Sequence, residues 1–177
     1  MAGKREYIYF PQDVRLSSIE MMEAVILGAG RRINSIKAGR KGGHQFSESV
    51  YAAWGEDIEG AAAEMVVART LGFYFTPTIN TFKAPDVGAE IQVRSSYRKD
   101  GSLIIRPHDP DHHYYFLVVG SWPFHQIVGY TLGNVAKEAR WERAPGGRPP
   151  AYFVPQHQLC RCWPAREGWE DDAEENP

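Results

Sequence analysis

Between residues 84 and 96 the chain reads A-P-D-V-G-A-E-I-Q-V-R-S-S, so that one carboxylate, Asp86, follows a proline and precedes an alternation of polar and apolar side chains. In a strand, successive side chains point to opposite faces, which puts Glu90, Gln92 and Arg94 on one side and Ile91 and Val93 on the other. Pro85 and Gly88 mark a bend ahead of that strand, bringing Asp86 beside its polar face. Carboxylates, an amide and a guanidinium converging at a bend are the groups that a divalent cation and a phosphodiester require together. A hard cation such as Mg²⁺ takes one or two carboxylates and fills its remaining positions with water and phosphate oxygens, so a small ligand set suffices. An antiparallel strand with one wet face produces the same alternation without any chemistry, so the surrounding elements must distinguish the two.

The first of those elements is the segment at residues 56–71, E-D-I-E-G-A-A-A-E-M-V-V-A-R-T-L, which is alanine-rich, helical in pattern and closed by Gly72. Its small residues at positions 60–63 allow close approach to a sheet. Glu64 lies within one helical turn of Gly60, Ala61, Val67 and Ala68, and a carboxylate on such a face is costly unless paired, metal-bound or protonated. If Glu64 instead sits at the margin of the apolar stripe, it is simply solvated.

Bulk properties narrow the field. A chain of 177 residues with 43% hydrophobic and 12% aromatic residues can bury a core as one domain, expected over residues 1–163 and followed by an acidic, disordered tail at 164–177. No apolar run reaches the length of about 18 residues that a membrane span needs. The N-terminal M-A-G-K-R-E-Y carries no apolar leader segment, and the two cysteines, Cys160 and Cys162, are too close together for a disulfide framework. Together these suggest a cytoplasmic protein with no membrane partner. Net charge is −2, and without the six acids of residues 167–175 it becomes +4. Basic residues cluster at Arg31, Arg32, Lys37, Arg40 and Lys41, with Arg98 and Lys99 further on, and such groups could contact phosphates, although an ordinary solvated surface has the same composition.

Taken in order, residues 1–16 suggest an edge strand or packing arm, and Ser17 or Ser18 caps a helix that ends near residues 28–30. The glycine-punctuated basic segment after it suggests an exposed loop or a frayed second helix. Residues 73–84 suggest a strand and turn. L-I-I-R-P is expected to pair back on residues 89–95 as a hairpin, Y-Y-F-L-V-V-G to be a core strand buried on both faces, and H-Q-I-V-G-Y-T-L-G a further strand. A short helix is expected at residues 134–143, with A-Y-F-V-P as the last strand. The fold class is therefore α+β (mixed α/β), with a central mixed sheet of four to six strands flanked by helices.

A helical glutamate, a bend with P-D, a strand with a polar triplet and a further core strand together resemble the PD-(D/E)XK nuclease superfamily over roughly residues 55–140. The stretch, with L-I-I-R-P-H-D-P-D, F-H-Q-I-V-G-Y and R-P-P-A-Y-F-V-P, also looks like small phage-type proteins. The resemblance implies a restriction-endonuclease-like fold, a Mg²⁺ (or Mn²⁺) ion held by Glu64, Asp86 and Glu90, and hydrolysis of nucleic acid, DNA above all. A homodimer would suit cutting of two strands. Two registers fit the E-x-K element: Glu90-Ile91-Gln92, or Gln92-Val93-Arg94 in the Q-x-K form, and the second keeps a positive charge where the family has one. Both lack the lysine. Arginine stays protonated and cannot act as a base, so the resemblance allows a weak or inactive enzyme.

His108, Asp109, Asp111, His112 and His113 form the densest ligand cluster, although D-P-D is also a common turn signal. His157, Cys160 and Cys162 lack a fourth zinc ligand, and G-x-S-x-G, H-E-x-x-H and G-x4-G-K-[ST] are all missing. Two non-enzymatic readings compete with the nuclease: a nucleic-acid- or protein-binding module on a nuclease-like scaffold, and a structural or assembly protein using its aromatic N-terminus with Trp163 and Trp169 as contacts.

Overall fold

The computed structural model describes residues 7–39, 50–79 and 84–165. Arg40, Lys41, Trp169 and the acidic residues 167–175 lie outside them. The architecture is mixed α+β. In chain order it comprises β1 (Tyr7–Tyr9), β2 (Gln12–Arg15), α1 (Ser18–Lys37), α2 (Val50–Thr70), β3 (Ile91–Ser96), β4 (Leu103–Ile105), β5 (Tyr114–Ser121), β6 (Phe124–Leu132), α3 (Gly133–Ala136), β7 (Glu142–Arg143), β8 (Ala151–Val154) and β9 (Cys162–Pro164). No helix of the described residues is long and apolar enough to cross a membrane.

The main sheet has the order β2-β6-β5-β3, with β3 parallel to β5 and the remaining pairs antiparallel. β5 is its centre, buried from Tyr115 to Val119 as its continuous apolar run predicts. Alternate residues of β5 feed two cores. Phe116 and Val118 join the layer under α1 and α2, while Tyr115, Leu117 and Val119 join Leu103, Ile105 and Val154 on the other face. α2 lies against the first layer through Ala61, Ala62 and Ala63, none of which is exposed.

α1 starts as the sequence suggests. The Ser17 side chain accepts from the Glu20 N–H at 3.2 Å and the Glu20 carboxylate accepts from the Ser17 N–H at 2.7 Å, a capping box worth about 1 kcal/mol. It does not end at residues 28–30. It runs on to Lys37, because Gly28 is a packing residue and not a stop: a Cβ there would lie 2.5 Å from the Ile58 Cα, so its absence lets α1 and α2 touch backbone to backbone. The basic segment expected as a loop is thus helical as far as Lys37.

Five other expectations are corrected. β4 does not form a hairpin with β3; it pairs with β8 in a separate three-stranded sheet, because Leu103 and Ile105 are drawn into the second core and β3 takes β5 as its neighbour. Residues 73–78 form no strand, with Tyr74 and Pro77 exposed. The helix expected at 134–143 breaks into α3 and a 3-10 turn at Ala139–Trp141. β8 is not the last strand, since β9 follows and pairs with β1. Trp163, on β9, is not an exposed contact but packs against Tyr114, Phe116 and Tyr130 with ring centroids 4.9 to 5.2 Å apart.

Candidate functional site

The site forms where β3 and β5 begin, side by side, since their parallel register sets Ile91 opposite Tyr114. Four segments meet there: α1, α2, the bend before β3, and the 106–113 loop leading into β5.

The bend places Asp86. Gly88 adopts φ +59° and a Cβ on it would come within 2.6 Å of the Phe73 ring, so only glycine turns the chain here. The Asp86 N–H donates to Ile91 O at 2.8 Å, and the Asp86 Oδ2 accepts from the Val93 N–H at 2.8 Å. One carboxylate oxygen is thereby committed to fixing the bend against β3, while Oδ1 has no partner among the described residues. Burial pushes the Asp86 carboxyl above its ordinary range, with the Val93 N–H, Arg94, Arg31 and His113 opposing.

Glu64 is on the packing face of α2, 8% exposed. Both its oxygens are held by Arg31 from α1, Nη1 to Oε1 and Nη2 to Oε2, each at 2.7 Å, and Arg31 Nε donates to Thr78 O at 3.0 Å. Burial raises the Glu64 carboxyl to about 7; Arg31 works against this, the charge of Asp86 adds to it, and Arg94 opposes it. That mutual influence puts Glu64, Asp86, Arg31 and Arg94 in one electrostatic neighbourhood.

Arg94 leaves the polar face of β3 as the alternation predicts, with Ile91 and Val93 buried on the other. Its Nη2 donates to Asp109 Oδ2 at 3.0 Å, its Nη1 lies 3.5 Å from Gln92 Oε1, and its guanidinium stands 5.2 Å from the Tyr115 ring centroid. Gln92 donates to Ala84 O at 3.1 Å. Glu90 is exposed, and its carbonyl accepts from the Tyr114 N–H at 2.8 Å.

The histidine and aspartate cluster is part of this same neighbourhood and not a separate centre. Asp109 holds Arg94 and also accepts from the Arg106 N–H at 2.9 Å. Asp111 pairs with Lys137, whose ammonium also donates to the carbonyls of Pro107 and Asp109. His113 is buried, with Nδ1 unpartnered; burial lowers its pKa, while Glu90, Asp86 and Asp109 work to raise it. No three histidine, cysteine or acidic side chains among the described residues stand together as a ready cation cage.

The basic residues divide. Arg31 and Arg32 turn inward: Arg32 Nε is 2.8 Å from Asp57 Oδ2 and its Nη2 donates to Ala53 O at 2.9 Å. Each is therefore engaged with a carboxylate and not part of a freely solvated basic surface. Lys37, Arg98 and Lys99 are exposed, Arg98 paired with Asp100 at 3.0 Å.

Arg31, Asp109, His113 and Lys137 thus belong to the neighbourhood in roles the sequence reading did not assign. The available signal was the mismatch between a carboxylate on a packing face and the nearest basic run, which Arg31 resolves. Compared with family models, curated proteins and solved structures, the chain matches none.

Proposed function

We propose that this chain handles phosphodiesters of nucleic acid, and that it is a weak metal-dependent nuclease acting through Glu64, Asp86, Gln92 and Arg94. The observation that carries this reading is that a buried carboxylate on a helix, Glu64, and a half-buried one at a bend, Asp86, are near enough to feel each other's charge and those of Arg31 and Arg94, beside the head of a parallel strand pair. The donor set suits one hard cation, since Asp86 keeps an oxygen without a described partner and Glu64 can supply a second carboxylate. Bound there, Mg²⁺ or Mn²⁺ would polarise the phosphate and lower the pKa of an attacking water.

The chain's own groups do the rest. Arg31 neutralises Glu64 while the site is without substrate, and a phosphate competes for the same bidentate fork. Transfer of Arg31 from carboxylate to phosphate frees Glu64 at the moment the anion arrives. Arg94, held by Asp109 and Tyr115, is a preset positive charge for the charge developing on the phosphate oxygens. Gln92 orients a water by hydrogen bonding. Exposed Arg98 and Lys99 offer the salt-dependent, sequence-independent part of nucleic-acid binding.

A second reading, a non-catalytic nucleic-acid-binding module, draws on a different observation: both Glu64 oxygens are already closed by Arg31, and position 94 carries no lysine. Labelled single- and double-stranded DNA and RNA, incubated with Mg²⁺, Mn²⁺ or chelator, separate the two. The nuclease predicts metal-dependent cleavage that falls at least about a hundredfold in Asp86→Asn. Binding that ignores both chelator and this substitution selects the module, and neither binding nor cleavage rejects the proposal.

A further inference from the structure

α1 has two apolar faces. Ala24, Leu27 and Gly28 are buried against α2 and the core, while Ile19, Met22, Ile26, Ile33 and Ile36 lie on the opposite side, exposed by 67, 58, 73, 43 and 54%. With half-buried Ala29 between them, these positions run 19, 22, 26, 29, 33, 36, alternating steps of three and four residues over five turns. A monomeric surface rarely carries so many large aliphatics in one stripe. The three-four alternation is the spacing that keeps one seam of a helix against a second helix.

Two further features select a second copy as that helix. The stripe is nearly palindromic about its midpoint: reversed on itself, it sets Ile19 against Ile36, Met22 against Ile33 and Ile26 against Ala29, the self-complementarity that a two-fold axis demands. Glu23 and Lys37 flank it near opposite ends, at equivalent positions of the repeat. Both are exposed with no ion-pair partner among the described residues, whereas Glu20 and Arg31 are taken by Arg69 and Glu64. Helical side chains lean toward the N-terminus, so in an antiparallel pair Glu23 and Lys37 of the partner subunit lean toward each other, twice per dimer. A parallel pair would bring like charges level.

We infer that two copies of this chain associate through the outward face of α1, antiparallel, with the stripe as a dry seam and Glu23 facing Lys37 across it. This does not rest on the reading of the carboxylate site. Sedimentation equilibrium of the full chain at micromolar concentration should give twice the chain mass. Ile26→Glu and Ile33→Glu should give the single mass with an unchanged far-ultraviolet circular dichroism spectrum, because both residues are exposed and belong to neither buried core. Glu23→Lys or Lys37→Glu should each weaken association roughly tenfold, and the double reversal should restore it. A wild-type monomer, a dimer indifferent to the isoleucine substitutions, or a double reversal no better than the singles would overturn the proposal. So would a protein that is monomeric in solution but floats with phosphatidylcholine and phosphatidylglycerol vesicles through the same isoleucines, which would assign the face to lipid.

Discussion

Arg31 closes on Glu64 across 33 positions of sequence, both guanidinium nitrogens within 2.7 Å of a carboxylate that is almost wholly buried. A pair of this kind is stabilising only while both members are present, because removing one leaves an uncompensated charge in a poorly solvated place.

The first prediction follows from its titration. The Glu64 pKa is about 7 in the folded protein against an ordinary 4.5, so the folded state retains a proton that the unfolded chain has already lost. Its contribution to stability is complete below pH 4.5 and disappears as pH rises through about 7, a swing of about 3 kcal/mol. Asp86, also raised by burial, acts in the same direction. Urea midpoints should fall between about pH 5 and pH 8, and Glu64→Gln should flatten the slope. Arg31→Met should cost about 3 kcal/mol at pH 8 and less at pH 5.5, where Glu64 can protonate; a loss independent of pH would show that the pair does not set the titration.

Glycines in the two long helices should respond in opposite directions. Gly28→Ala forces a Cβ to 2.5 Å from the Ile58 Cα, against backbone that cannot yield, and should cost about 1 to 3 kcal/mol. Gly60→Ala, where a Cβ meets nothing within 4 Å, should stabilise α2 by about 0.5 to 1 kcal/mol. Thermal melts of the two variants would contradict the α1 to α2 packing if Gly28→Ala were neutral.

Arg94 tests whether the site lacks a base. Lysine can lose its proton where arginine cannot, so if the chain is the nuclease proposed above, Arg94→Lys should increase its metal-dependent cleavage about tenfold or more at alkaline pH, with little gain near neutrality. A flat pH profile would leave position 94 a phosphate clamp alone.

Lys137 ties down the loop that carries Asp109. Its ammonium contacts Pro107 O, Asp109 O and Asp111, so Lys137→Met removes three interactions at once. Stability should fall by about 1 to 3 kcal/mol. Amide hydrogen exchange should quicken at residues 107–111 and at Arg94's neighbours on β3, and unchanged protection there would show that the loop holds itself.

Local patterns were readable wherever one element determines its own state. The alternation through Ile91, Gln92, Val93 and Arg94, the Ser17 and Glu20 cap, the small face of α2 and the doubly buried β5 all follow from spacing and side-chain type. What escaped depends on partners distant in sequence. Gly28 looked like a helix stop because its reason, the Ile58 backbone, is thirty residues away. The same misplaced end hid Arg31 as Glu64's counter-ion, presenting it as surface charge, and it concealed the three-four stripe, which continues through Ile33 and Ile36 beyond the supposed end. β4 was given the nearest strand as neighbour, whereas its partner, β8, arrives nearly fifty residues later.

One strand serves two cores, β5 turning Phe116 and Val118 to one side and Tyr115, Leu117 and Val119 to the other. Neither half can therefore melt while its counterpart stays intact, since the loss of either exposes the back of the same five residues. Heating should give a single calorimetric peak whose van't Hoff and measured enthalpies agree, even though the molecule contains more than one sheet.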